Sequence, residues 1–293
     1  YLEGPCNIDF CERFAKRIGV AHCIGVGNGT DALRVAIQAV IENSWLSNQP
    51  KQELEVVTVA NAGGYTSTAC HAIGCVPVYV DIDPIDQLMS IDLAISALTD
   101  KTVAIVATHL YGGFVDVRSL REALTAAGRD DVAIIEDCAQ AHGLDSISGT
   151  AGSIGAIGTF SFYPTKNLGG IGDGGAITTN DRKLNEKVKK LRQYGWLNKY
   201  EISIAGGSNS RLDEVQAAVL SKRLDRLDEN NQKRRNILER YDEAATDKVK
   251  IVRSSRGTVG HLAIALTDRR DELIQHMRAY SVSTDIHYPV LDC

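Results

Sequence analysis

The feature that most limits what this chain can fold into is its regular alternation of short β-branched runs with helical segments. His22–Val26 reads as a strand, and 30–43 follows as a helix with Leu33, Ile37, Val40 and Ile41 on one face. Strand Glu55–Val59, a helix near Tyr65–Ile73 and strand Val76–Val80 come next. A helix near 93–98, a strand at 102–107, a helix at 117–127 and a strand at 132–136 continue the pattern. Several strand runs are apolar throughout, as parallel strands covered on both faces are. Elements in βαβα order build a doubly wound α/β sheet.

Two closely spaced strands follow, at 159–162 and 175–178, and after Asp181 the chain turns helical and highly charged. Leu212, Val215, Val219, Leu220, Leu224 and Leu227 form an apolar stripe, expected on one long helix. The mostly polar 225–240 is expected to bridge to a second unit. A strand at 260–265, a helix at 271–280 and a strand at 283–287 begin a smaller α+β piece. The 293 residues are thus expected to divide into a large domain, 1–232, and a partial small C-terminal domain, 233–293.

Charge and cysteine usage narrow the function classes. The net charge of −5 argues against a protein whose main task is gripping phosphate backbones. No apolar run approaches the roughly 18 residues that span a bilayer. The start at Tyr1 has neither a basic stretch nor a Met, so no signal peptide is expected and the natural start is expected to precede it. Seven scattered cysteines without a Cys-x-x-Cys pair read as reduced thiols of a cytosolic protein, and their spacing does not suit zinc.

In an open α/β sheet, ligands bind beyond the carboxyl ends of the strands. Three loops there carry chemistry. The first, 25–31 (GVGNGTD), joins a strand to a helix N-terminus, where glycines and free N–H groups suit a phosphate. It reads equally as a tight turn capped by Thr30 or Asp31. The second, 136–143 (EDCAQAHG), puts Asp137 at the end of an apolar strand, where a carboxylate needs a partner such as a cationic ring nitrogen. A structural cap on the next helix is the plain alternative, and His142 by itself reads as a satisfied polar residue. The third, 160–175, holds Lys166 among aromatics, hydroxyls and glycines, where a lowered pKa lets a lysine form a Schiff base. Gly170, Gly172 and Gly175 match a dinucleotide fingerprint, but they lead into a strand instead of a helix. One ligand has the phosphate, protonatable ring nitrogen and carbonyl that these loops call for: pyridoxal phosphate.

Six stretches then carry a resemblance. They are 27–33 (GNGTDAL), 77–84 (PVYVDIDP), 109–112 (HLYG), 136–143 (EDCAQAHG), 161–169 (SFYPTKNLG) and 209–218 (NSRLDEVQAA). From about Tyr1 to Pro289 the chain resembles the DegT/DnrJ/EryC1/StrS nucleotide-sugar aminotransferases. The resemblance implies the aspartate-aminotransferase fold (fold type I), a mostly parallel sheet covered by helices, and a cytoplasmic homodimer with shared active sites. It implies that Lys166 forms the Schiff base and then carries the proton, and that Asp137 pairs with the pyridinium nitrogen. Gln140 would lie by the ring and its phenolic oxygen. Gly29, Thr30 and Ser161 would hold the phosphate, and Asn209 would reach the phosphate of the partner's cofactor. The implied reaction moves an amino group, commonly from glutamate, onto a keto sugar of a nucleoside diphosphate, for amino-sugar, polysaccharide or secondary-metabolite biosynthesis. Lys166 stands where dehydratase relatives carry His, which favours transamination over sugar dehydration.

Two departures from the family pattern stand out. The position expected to stack an aromatic on the ring is Gly63; Tyr65, two residues on, reads either as the substitute or as a core aromatic at a helix start. Both ends are expected to be short relative to the family, which leaves a non-catalytic relative as the alternative. Asp81, Asp83 and Asp86 lack the spacing of a calcium loop, and Lys187, Lys189, Lys190 and Arg192 read as a solvated basic helix face. The sugar, the aminated carbon (C3 or C4) and the nucleotide are not specified by these motifs.

Overall fold

The computed structural model describes residues 3–293; the reading of Tyr1 and Leu2 at the start lies outside them. A seven-stranded sheet forms from β1 (His22–Val26), β2 (Glu55–Val59), β3 (Val76–Val80), β4 (Thr102–Thr108), β5 (Ala133–Asp137), β6 (Ile157–Ser161) and β7 (Gly175–Thr179). Their order across the sheet is β1-β7-β6-β5-β4-β2-β3. The pairs β2–β3, β2–β4, β4–β5 and β5–β6 are parallel, and β7 runs antiparallel to both its neighbours.

The continuous apolar runs are explained by burial on both faces. Every residue of β4 is buried. Along it Ala104 and Val106 face one core and Ile105 and Ala107 the other, the two-residue period of a strand. The first core packs α2 (Gly29–Ile41), α3 (Tyr65–Ile73) and α6 (Arg182–Leu191) on one side of the sheet. On the other side, α4 (Ile91–Ser96) and α5 (Val117–Ala126) cover the β2–β4–β5 end. There α1 (Pro5–Ile18), α7 (Glu214–Leu224) and α8 (Leu227–Glu243) cover the β5–β6–β7 end, around the interlocked rings of Phe10, Phe14, Phe160 and Phe162. α1 has no side-chain cap of its own. Glu214 at the start of α7 caps it, accepting from the N–H groups of Cys6 and Asn7 at 3.0 and 2.9 Å.

Three sequence expectations are corrected. The apolar stripe over 212–227 belongs to two helices. The chain breaks at Asp225 and Arg226, which lets Leu227 pack beside Gly143, and Val215 is exposed. Within 260–265 only Ala265 is in a strand, where Ala265–Leu266 pairs with Lys250–Ile251. Residues 283–287 form no strand. After α9 (Arg270–Ala279), which buries no side chain, the irregular chain returns over the sheet's carboxyl edge. It is fastened there by Asp292, whose N–H donates to the Ala60 carbonyl (3.0 Å) and whose carboxylate accepts from Ser67 Oγ (2.7 Å). Among the described residues no helix is long and apolar enough to cross a membrane.

Candidate active site

The carboxyl ends of β1, β4, β5 and β6 open onto one cavity of about 690 Å³. Seven of the eight residues picked from sequence line it: Gly29, Thr30, Tyr65, Asp137, Gln140, Ser161 and Lys166. Asn209 lies outside it, exposed, at an isolated bridge with Gln193.

The β1–α2 loop positions the first corner. Asn28, in extended conformation, caps α2 by accepting from the Asp31 N–H at 2.8 Å, so the cap is neither Thr30 nor Asp31. This leaves the first-turn N–H groups of Gly29 and Thr30 directed at the cavity, a ready anion site. A Cβ at Gly29 would lie 2.6 Å from the Ser161 Cβ. Only a glycine lets the helix terminus and the Ser161 hydroxyl come together.

Asp137 ends β5 and is 6 % exposed. Its Oδ1 accepts from the Ala139 N–H at 3.1 Å within a turn, and no helix follows for it to cap. Burial pushes its carboxyl up from the ordinary aspartate value, and no salt bridge compensates among the described residues. Opposite it in the parallel register stands Thr108, whose buried hydroxyl faces the carboxylate and lowers its pKa, though burial outweighs this. A buried carboxylate with no salt bridge on the cavity floor suits a ligand carrying a cationic N–H.

Lys166 follows β6 in a turn, with its N–H donating to the Tyr163 carbonyl at 2.9 Å. Burial lowers its pKa, and the charge of Asp137 opposes that shift. Gln140 is fixed at both ends: Oε1 accepts from the Tyr111 N–H (2.6 Å) and Nε2 donates to the Tyr288 hydroxyl (2.9 Å). Tyr65 starts α3 and keeps its ring half-exposed at the cavity. The space over Gly63 is taken by Tyr288: a Cβ there would lie 2.8 Å from its ring.

His142 departs from its sequence reading. It is fully buried against Phe160 and Phe162, and neither ring nitrogen has a partner. Burial, then the nearby charge of Lys166, pushes it down to about 3. Gly175 opens an antiparallel strand, as its context predicted, so the glycine run is no dinucleotide loop. The acidic 81–86 loop spends its carboxylates on its own backbone, at the N–H groups of Ile82, Ile85 and Leu88. Lys187 and Arg192 of the basic helix face are tied to the carbonyls of Glu42 and Gly25.

Sequence reasoning missed Arg234, His261, His287 and Tyr288 as cavity residues. They arrive from the chain beyond α7, and no loop chemistry marks them. The signal that was available was the reach of the family resemblance as far as Pro289, which takes in His287 and Tyr288.

Comparison with known proteins agrees with this geometry. The model of the DegT/DnrJ/EryC1/StrS aminotransferase family matches residues 1–292. A dTDP-3-amino-3,4,6-trideoxy-alpha-D-glucose transaminase of Micromonospora megalomicea subsp. nigra is 40% identical, over 98% of this chain and 76% of its own. The crystal structure of DesV from S. venezuelae superposes with a TM-score of 0.90 at 37% identity, covering 99% of this chain and 76% of that one. NtdA from Bacillus subtilis, solved with bound cofactor PMP, gives 0.88 at 30% identity, covering 99% and 66%. The strand order and antiparallel β7 are thus those of fold type I, and the structural neighbours point to pyridoxal-type chemistry.

Proposed function

The chain belongs to the DegT/DnrJ/EryC1/StrS aminotransferase family, and from that premise we propose that it uses pyridoxal phosphate to move an amino group from glutamate onto a keto sugar carried by a nucleoside diphosphate. The observation that carries this reading is the pairing of a buried Asp137 without a salt bridge and a burial-depressed Lys166 on one cavity.

Pyridoxal phosphate, when bound, supplies an electron sink for the carbon that loses its proton. The chain's residues do the rest. Asp137 holds an N–H cation at the cavity floor, and that charge relieves the desolvation which now pushes its carboxyl up. The Gly29 and Thr30 N–H groups and the Ser161 hydroxyl hold a phosphate. Gln140, locked by Tyr111 and Tyr288, presents its amide beside a phenolic oxygen. Tyr65 offers its ring face for stacking. Lys166, whose ammonium form burial disfavours, takes a proton as a neutral amine and gives it back as an ammonium. Asn209, exposed and away from this cavity, fits a homodimer in which it reaches the partner's cofactor phosphate. The large domain over 1–232, the partial small domain over 233–293 and a cytoplasmic location belong to the same reading.

The test is a mass-spectrometric screen of keto sugar nucleotides with glutamate and pyridoxal phosphate. An amino sugar nucleotide formed together with an equal amount of 2-oxoglutarate is expected, and K166A should reduce it to background. A folded protein that never takes up pyridoxal phosphate sinks the reading, and so does a product formed without consuming glutamate.

A further inference from the structure

A chain of hydrogen bonds behind Lys166 determines which nitrogen of His261 carries the proton. It starts at the His142 backbone carbonyl, which can only accept. Asn231 Nδ2 donates to it at 2.8 Å, so Asn231 turns its Oδ1 the other way. That oxygen accepts from Asn167 Nδ2 at 2.8 Å, and the same Nδ2 also donates to the Val259 carbonyl at 3.1 Å. With both donors of Asn167 committed, its Oδ1 faces His261 Nδ1 at 2.9 Å and can only accept. The proton of the imidazole therefore sits on Nδ1, and Nε2 is a bare acceptor.

The fold delivers this nitrogen to the cavity. Residues 258–262 lie along the loop after β4: the Val259 N–H donates to the Gly112 carbonyl at 3.0 Å, and the Leu262 N–H to the Tyr111 carbonyl at 3.3 Å. His261 borders the cavity beside Lys166, 8 % exposed, and Nε2 has no partner among the described residues. Burial, then the charge of Lys166, pushes the imidazole down to about 3, so it stays neutral at ordinary pH.

An acceptor that faces the cavity without a protein donor points to the chemistry of what it meets there. A phosphate has only acceptor oxygens to offer it, and the carboxylates of an amino donor likewise. The N–H cation of a pyridinium is taken by Asp137 in the reading above. The amino group of the amino donor is needed at the reacting carbon, so the donor left for Nε2 on the sugar is a hydroxyl. We propose that His261 is a substrate-binding residue of this cavity, its bare Nε2 accepting a hydrogen bond from a hydroxyl of the sugar. This rests on the proposed aminotransferase reaction.

Two variants and two half-reactions test it on the pyridoxal-phosphate-loaded protein. H261N keeps an amide N–H where Nδ1 donates to Asn167 and removes the acceptor at Nε2; H261Q places an amide where Nε2 was. H261N should raise KM for the keto sugar nucleotide roughly tenfold, the effect of one hydrogen bond, and at least fivefold more than it changes the glutamate half-reaction. H261Q should recover part of that loss. Wild-type protein should lose affinity for one member of a set of deoxy sugar nucleotides, and H261N should not discriminate against it. An unchanged KM in H261N, an equal loss in both half-reactions, or wild-type indifference to every deoxy substrate overturns the inference while leaving the aminotransferase reading intact. Wild-type protein that completes the glutamate half-reaction yet aminates no keto sugar nucleotide overturns both.

Discussion

At the scale of single residues, the proposed phosphate corner depends on an absent side chain. Gly29 starts α2, and the N–H groups of that first turn meet the Ser161 hydroxyl only because nothing stands between them. Gly29→Ala would put a methyl group 2.6 Å from the Ser161 Cβ, closer than carbon atoms approach. Something must shift, and the end of β6 is the nearest thing to move. We expect pyridoxal phosphate affinity to fall at least tenfold, followed by the quenching of Trp196 and Trp45 fluorescence or by cofactor absorbance. The thermal midpoint of the cofactor-free protein should move by only a few degrees. Unchanged affinity would remove Gly29 from the phosphate site. The same scale shows what was legible in the sequence. Asp137 and Lys166 could be found because each is costly where it stands, a charge at the end of an apolar strand and a lysine among aromatics. The loops did not mark His261 and Tyr288, because their value comes from long-range neighbours: Asn167 for the one, the side-chain-free Gly63 for the other.

At the scale of elements, the cavity floor is pinned from beneath. Glu136 precedes Asp137 on β5 and points to the opposite face of the sheet. Its carboxylate, fully buried, accepts from the N–H groups of Gly152 (2.9 Å), Ile154 (2.7 Å) and Gly155 (2.7 Å), and lies 3.0 Å from His109 Nε2. His109 Nδ1 accepts from the Val115 N–H at 3.0 Å, so the His109 proton is on Nε2 and points at Glu136. Desolvation pushes the Glu136 carboxyl up, but His109 and the backbone N–H groups outweigh it and hold the pKa below the ordinary glutamate value. Four segments meet at this carboxylate: the ends of β4 and β5, the loop to Val115 and the turn at 152–155. Glu136→Gln puts an amide N–H among donors, so at least one N–H loses its acceptor. We expect a loss of about 3 kcal/mol in unfolding free energy, read from urea midpoints. A loss below about 0.5 kcal/mol would show that the carboxylate is not the pin. This network was invisible in the sequence because alternation predicts which face Glu136 takes but not what waits there. The break between α7 and α8 was hidden for a related reason: periodicity sees the apolar stripe, while the packing of Leu227 beside Gly143 decides where the helix ends.

At the scale of the whole molecule, the buried histidines make stability depend on pH. His142 and His261 are held neutral, each pushed down to about 3 chiefly by burial. In the unfolded chain an imidazole takes a proton near 6.5. Between those values the unfolded state binds more protons than the folded one, so lowering the pH favours unfolding. The stability these residues contribute is fully present above about 6.5 and is lost as pH falls toward 3. The lowered pKa of Glu136 removes stability only below the ordinary glutamate value, and the raised pKa of Asp137 acts in the opposite sense, above the ordinary aspartate value. Each histidine contributes a slope of about 1.4 kcal/mol per pH unit once well below 6.5, so the pair gives about 2.7. Urea unfolding at pH 7.5, 6.0 and 5.0 should show a fall of about 1.6 kcal/mol over the first step and about 2.4 kcal/mol over the shorter second one. His142→Phe keeps a ring of similar size against Phe160 and Phe162 and removes one of the two protons. It should halve the slope below pH 6 while leaving the pH 7.5 value within about 1.5 kcal/mol of wild type. A variant slope equal to wild type would mean that His142 finds a proton-stabilising partner in the folded protein, against its two unpartnered nitrogens.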